Sequence, residues 1–231
     1  ELEIAHGVVM GNRTLELADH DYPADLFHYC VGLDSSVLPD QSLSDLPDRI
    51  EAHLQRASCC GVKLYPGYNR VSLSDSMYEP IYALAARYDK PVAVHMGLTA
   101  SANAHLKYCH PLALDEVAAD HPNTRFVMCH FGNPWLLDAA AVVEKNENVM
   151  TDLSGLLEGK IDFPKLLEQQ RGYFDALKTW ISYCSQYEKF MFGTDWPLAN
   201  YGDYIEVVKW LIPEEKWGKV FYENAKRIYG L

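Results

Sequence analysis

Pro91-Val92-Ala93-Val94-His95 is a short apolar run that stops on an imidazole, and the same figure returns twice further along the chain. Arg125-Phe126-Val127-Met128-Cys129 ends in His130, and Lys189-Phe190-Met191-Phe192-Gly193-Thr194 ends in Asp195. Polar and apolar residues do not alternate in these runs, as expected of strands covered on both faces in a parallel sheet. Each stops on a side chain able to bind a metal or move a proton, and parallel barrels build their active sites at the C-terminal strand ends. One histidine in such a place is more often structural, and Asp195 before Trp196-Pro197 suits a turn cap. Three such residues at one end of one sheet favour a site.

Working outward, residues 4–10, 26–32, 61–65 and 148–153 are four more strand candidates, which makes seven. Helical periodicity fills 41–58, 75–89, 111–120, 134–146, 163–187 and 214–229, with a weaker stretch at 13–20. Alternation of this kind, kept up to the C-terminus, predicts repeated βα units. The expected fold class is α/β, a parallel barrel; a doubly wound open sheet gives the same alternation and would line a crevice with the same three residues. No repeat or low-complexity linker divides the chain, so residues 1–231 are expected to form a single β/α barrel domain. Residues 97–110 make an unusually long connection, of a length often used for lids, and their Ala, Ser and Asn content suits movement.

Composition narrows the partners. With 48% hydrophobic and 23% charged residues, the 231-residue chain can bury a sizeable core. A formal charge of -12 repels phosphate backbones and anionic headgroups, which argues against nucleic acid and membrane and for a small-molecule substrate. Six cysteines without a C-x-x-C pair read as packed, reduced thiols of a cytoplasmic protein. No apolar run approaches the roughly 20 residues that span a bilayer. The chain begins at Glu1.

There is no G-x-G-x-x-G, G-x-x-x-x-G-K-[ST], H-E-x-x-H or G-x-S-x-G, so dinucleotide, P-loop, zincin and serine-hydrolase chemistry lose support. Lys63 lies inside the buried run Gly61-Val62-Lys63-Leu64-Tyr65, where an unpaired ammonium is costly, so it is expected to reach a pocket or a carboxylate. Tyr65, Tyr68, Trp135, Trp196 and Tyr201 follow strand ends and offer walls for a planar substrate, although core packing accounts for most aromatics. Asp152 and Ser154, after the 148–153 run, are weaker candidates.

Taken in order, Gly-Val-Lys-Leu-Tyr-Pro at 61–66, Pro-Val-Ala-Val-His at 91–95, Cys-His-Phe-Gly at 129–132 and Phe-Gly-Thr-Asp-Trp-Pro at 192–197 resemble the amidohydrolase-related (amidohydrolase 2) family. This is the branch of metal-dependent TIM-barrel hydrolases and decarboxylases that includes aminocarboxymuconate semialdehyde decarboxylase. The resemblance implies a (β/α)8 TIM barrel whose strands two to eight are present and whose strand one is missing from the chain as given. That strand carries a His-x-His metal pair in the family, and no His-x-His occurs in this sequence. Loss of an N-terminal segment and a variant barrel with altered metal binding are the competing explanations.

The resemblance also assigns roles. His95 and Asp195 would bind a divalent metal, zinc or alternatively manganese; Asp195 would also take the proton of an activated water, and His130 would polarise the substrate carbonyl. Lys63 and Trp196 would contact substrate, with Lys63 suited to a carboxylate. The implied reaction is hydrolysis of a C–N, ester or lactone bond; the alternatives are non-oxidative decarboxylation and a non-catalytic barrel kept for binding, with homo-oligomers as an expected assembly.

Overall fold

The computed structural model describes residues 4–11, 14–23, 25–33 and 44–231. The starts of two expected helical stretches, at 13 and 41–43, lie outside them. All seven expected strands form: β1 (Gly7–Met10), β2 (Phe27–Leu33), β3 (Cys59–Leu64), β4 (Val92–His95), β5 (Phe126–Cys129), β6 (Val149–Asp152) and β7 (Phe190–Met191). They pair in parallel and in chain order, so the sheet is barrel-like rather than doubly wound, with β1 and β7 at its edges among the described residues. These are seven strands of a (β/α)8 TIM barrel.

Strand alternation sorts the side chains into two cores. Val92, Val94, Phe126, Met128 and Val149 point outward into the large cluster shared with the surrounding helices. Cys30, Cys60, Ala93, Val127, Cys129, Met150 and Met191 point inward, where Ile228 and Tyr229 join them. Successive strand residues face opposite sides. The inward set therefore continues through Lys63, His95 and Asp152, and parallel register sets Lys63 beside Ala93 and His95 beside Cys129.

The helices are α1 (Leu46–Leu54), a single turn α2 (Pro66–Asn69), α3 (Glu79–Arg87), α4 (Pro111–Asp120), α5 (Leu136–Lys145), α6 (Phe163–Gln169), α7 (Arg171–Cys184), α8 (Tyr201–Leu211) and α9 (Asn224–Tyr229). Three differ from the sequence reading. The stretch expected as one helix at 163–187 breaks at Gln170, whose backbone leaves the helical region (φ -120, ψ 32). The C-terminal stretch passes through a π-helical segment, Lys219–Glu223, before α9. No helix was expected at α8, which buries Tyr204, Val207, Val208 and Leu211 and is capped by Asn200.

The long connection at 97–110 is tied down rather than free to swing. Gly97 N–H donates to the Cys109 carbonyl at 2.8 Å and His105 N–H to the Gly67 carbonyl at 2.9 Å. Ala100 N–H donates to the Tyr68 hydroxyl at 2.9 Å. Two of these donors are paired with the turn after β3, and the third closes the connection on itself. Among the described residues, no helix is long and apolar enough to cross a membrane. All six cysteines are buried free thiols.

Candidate active site

β4 and β5 end side by side, and their two histidines meet: His130 Nε2 lies 3.2 Å from His95 Nδ1. Neither ring is free to turn. His95 Nε2 donates to the Leu98 carbonyl at 3.1 Å, and Leu98 N–H in turn donates to the Asn133 carbonyl at 2.9 Å. His130 Nδ1 lies 2.9 Å from Ser154 Oγ and 3.2 Å from the Ser154 carbonyl. Its backbone has positive φ (63°), which takes the chain sharply off the end of β5 and brings the ring back over the sheet.

Both rings favour the neutral state. Burial pulls His95 well below the usual histidine range, with His130 and the Lys63 ammonium adding to it. Burial lowers His130 too, against the opposing pull of Asp152 and Asp195. Asp152 is held below the usual carboxylate range despite burial, by His130, by the Ser154 hydroxyl and by the His130 N–H. Its Oδ1 accepts from His130 N at 3.0 Å, Ser154 N at 3.1 Å and Ser154 Oγ at 2.5 Å.

Lys63 is 3% exposed and stands in the barrel interior. Its ammonium reaches a thiol, where a pocket or a carboxylate was expected: Nζ donates to Cys129 Sγ at 2.7 Å and sits 5.3 Å from the centre of the Tyr65 ring. Burial first, and Asp152 second, push the Cys129 thiol up, so it stays neutral. Tyr65 and Tyr68 flank His95, with ring centres at 6.4 and 5.1 Å. Trp135 packs instead on His110, at 4.9 Å.

Asp195 follows β7 in a positive-φ turn (59°) and is exposed. Its charge bears on His130, which puts it at the mouth of the same site. Trp196 is 66% exposed. The fold thus brings His95, His130 and Lys63 together, sets Asp195 at the rim and leaves Trp196 facing solvent. Asp152 and Ser154, weak candidates in the sequence, prove central, because β6 ends one strand over from His130; their only signal was a polar pair at a strand end.

The donor chemistry suits a divalent ion. His130 Nε2, 3.2 Å from His95 Nδ1, would stand beside an ion held on His95. Neutral rings whose far N–H is given to a carbonyl or hydroxyl are the usual ligand form. Among the described residues, no three or more His, Cys, Asp or Glu side chains gather as a complete ligand set. The pair fits as part of a site.

A parallel α/β barrel with paired histidines at its C-terminal strand ends is the class of protein that this geometry defines. The amidohydrolase family model matches residues 6–231, and the chain belongs to that family. No curated protein matches it. Among solved structures, an amidohydrolase from Burkholderia multivorans with bound zinc is similar over 98% of this chain and 84% of its own, at 17% identity and TM-score 0.70. The 2,6-dihydroxybenzoate decarboxylase from Rhizobium is similar over 90% and 72%, at 17% identity and TM-score 0.62. A probable 2-pyrone-4,6-dicarboxylic acid hydrolase from Acinetobacter baumannii, with citric acid bound, is similar over 97% and 99%, at 13% identity and TM-score 0.56.

Proposed function

We propose that this chain is a metal-dependent hydrolase acting on a C–N, ester or lactone bond of a small, anionic molecule. The observation that carries the reading is the buried, neutral His95–His130 pair, nitrogens 3.2 Å apart, at the C-terminal ends of adjacent parallel strands. His95 and Asp195 would hold the ion, with zinc the first choice and manganese the second. When bound, the ion supplies Lewis-acid polarisation and a more acidic water. Asp195, at the rim, takes the proton from the attacking water, and His130 moves a proton at Nε2 beside the reacting carbonyl. Tyr65 and Tyr68 wall the side of His95, and Trp196 covers substrate from the rim.

Lys63 favours a second reading, non-oxidative decarboxylation of a small carboxylic acid. A buried cation under the two histidines, with no carboxylate among the described residues hydrogen-bonded to it, lowers the energy of an anion entering above. Both reactions are tested together. The zinc-loaded chain is assayed against small lactones, esters, amides and aromatic acids, following release of acid or of carbon dioxide. His95→Ala is expected to lose zinc, and Asp195→Asn to lower kcat by roughly a hundredfold or more. A chain that binds no metal and turns over none of the panel is a binding barrel, and the reading falls.

A further inference from the structure

We propose that Asp152 and Ser154 are positioning residues that fix His130 with its hydrogen on Nδ1, leaving the nitrogen that faces His95 as a bare lone pair. The inference deepens the reading of His95 and His130 as the site and rests on it.

The available hydrogens fix the tautomer. The Ser154 hydroxyl has one hydrogen and lies 2.5 Å from Asp152 Oδ1. A carboxylate oxygen only accepts, so that hydrogen is committed to Asp152. At 2.9 Å from His130 Nδ1, the hydroxyl oxygen must therefore receive, and the ring must donate. The Ser154 carbonyl, 3.2 Å from the same nitrogen, also only accepts. Asp152 cannot turn away, because its Oδ1 is held by the backbone N–H groups of His130 and Ser154 as well.

The surrounding backbone leaves room for this arrangement and little else. A Cβ on Gly155, whose φ is 63°, would stand 2.6 Å from His130 Nδ1, and one on Gly193 would stand 3.0 Å from Ser154 Cβ. Across the pair, the Leu98 carbonyl commits His95 Nε2 as a donor, so His95 Nδ1 is bare as well. Two lone pairs 3.2 Å apart repel until a proton or a cation comes between them. Both networks hold that repulsion in place, which prepares the gap for positive charge.

The test reads the tautomer directly. Long-range 1H–15N correlation spectra of the metal-free, 15N-labelled chain are recorded at pH 8, with His130 assigned by His130→Gln. The expected spectrum shows Nδ1 protonated and Nε2 bare. In Ser154→Ala, and in the near-isosteric Asp152→Asn, the preference weakens toward a mixture of the two tautomers. Ser182→Ala, on an exposed face, leaves it unchanged. An Nε2–H ring in the unaltered chain overturns the proposal, as does a Ser154→Ala chain with an unchanged tautomer. If either variant fails to fold, the unaltered chain's spectrum still decides. The reading of the site fails separately, if His95→Ala binds zinc as tightly as the unaltered chain.

Discussion

Gly155 shows how much of the site is decided by single residues. Its φ of 63° is open to glycine at little cost, and any Cβ there would strike His130 Nδ1. Gly155→Ala is expected to destabilise the fold by about 1–2 kcal/mol and to turn the His130 ring. The Nδ1–H preference of His130 should then be lost, as seen in 1H–15N spectra set beside urea melts. An unchanged tautomer with an unchanged urea midpoint would mean that the ring moves aside freely. At this scale the sequence was partly legible: His95, His130 and Asp195 stand out as polar stops on apolar runs. Lys63 was legible as a buried cation, but not its partner, because Cys129 lies on a different strand, 66 residues away in sequence.

Elements carry these residues, and α8 shows what binds an element to the site. Its Tyr204 hydroxyl donates to the Leu153 carbonyl at 2.5 Å and accepts from Leu156 N–H at 3.0 Å, so the helix grips the loop that presents Ser154. Asn200 caps the helix, its side chain accepting from Gly202 and Asp203 N–H. Asn200→Ala is expected to cost about 1 kcal/mol, lowering the urea midpoint while leaving the His130 tautomer unchanged; no shift in the midpoint would show that the cap contributes nothing. α8 escaped the sequence reading although its cap and its buried 204, 207, 208, 211 spacing were present. Val207 and Val208 favour strands by themselves, and only packing against the barrel's outer face makes them helical. The break at Gln170 left one weak signal, Gly172 two residues on, a poor helix former that a continuous helix still tolerates.

At the scale of the whole molecule, the barrel's outer layer holds a buried imidazole that makes stability depend on pH. His53 on α1 donates from Nε2 to the Leu15 carbonyl at 3.1 Å and accepts from the Tyr29 hydroxyl at 2.9 Å. Burial lowers its pKa from 6.5 to about 4, outweighing the Leu15 carbonyl that favours the charged ring. The folded state therefore keeps His53 neutral where the unfolded chain would protonate it. This contribution is complete above pH 6.5 and lost as pH falls toward 4. Unfolding free energy should drop by about 2 kcal/mol between pH 7 and pH 5 from this group. Urea melts at the two values check it, and His53→Gln should flatten the difference; an equal drop in that variant would assign it to other groups.

The layering and the polarity of the sheet follow from the amino-acid pattern alone. Uninterrupted apolar runs alternating with helical stretches allow few arrangements other than parallel strands wrapped by helices, and polar stops at the run ends mark one face of the sheet. Which atoms of those stops meet depends on the folded chain. The 3.2 Å between His95 and His130, the hydroxyl that links His130 to Asp152 and the thiol beneath Lys63 all lie between strands. Register and barrel curvature set such distances, and a one-dimensional pattern of polar and apolar residues does not carry them.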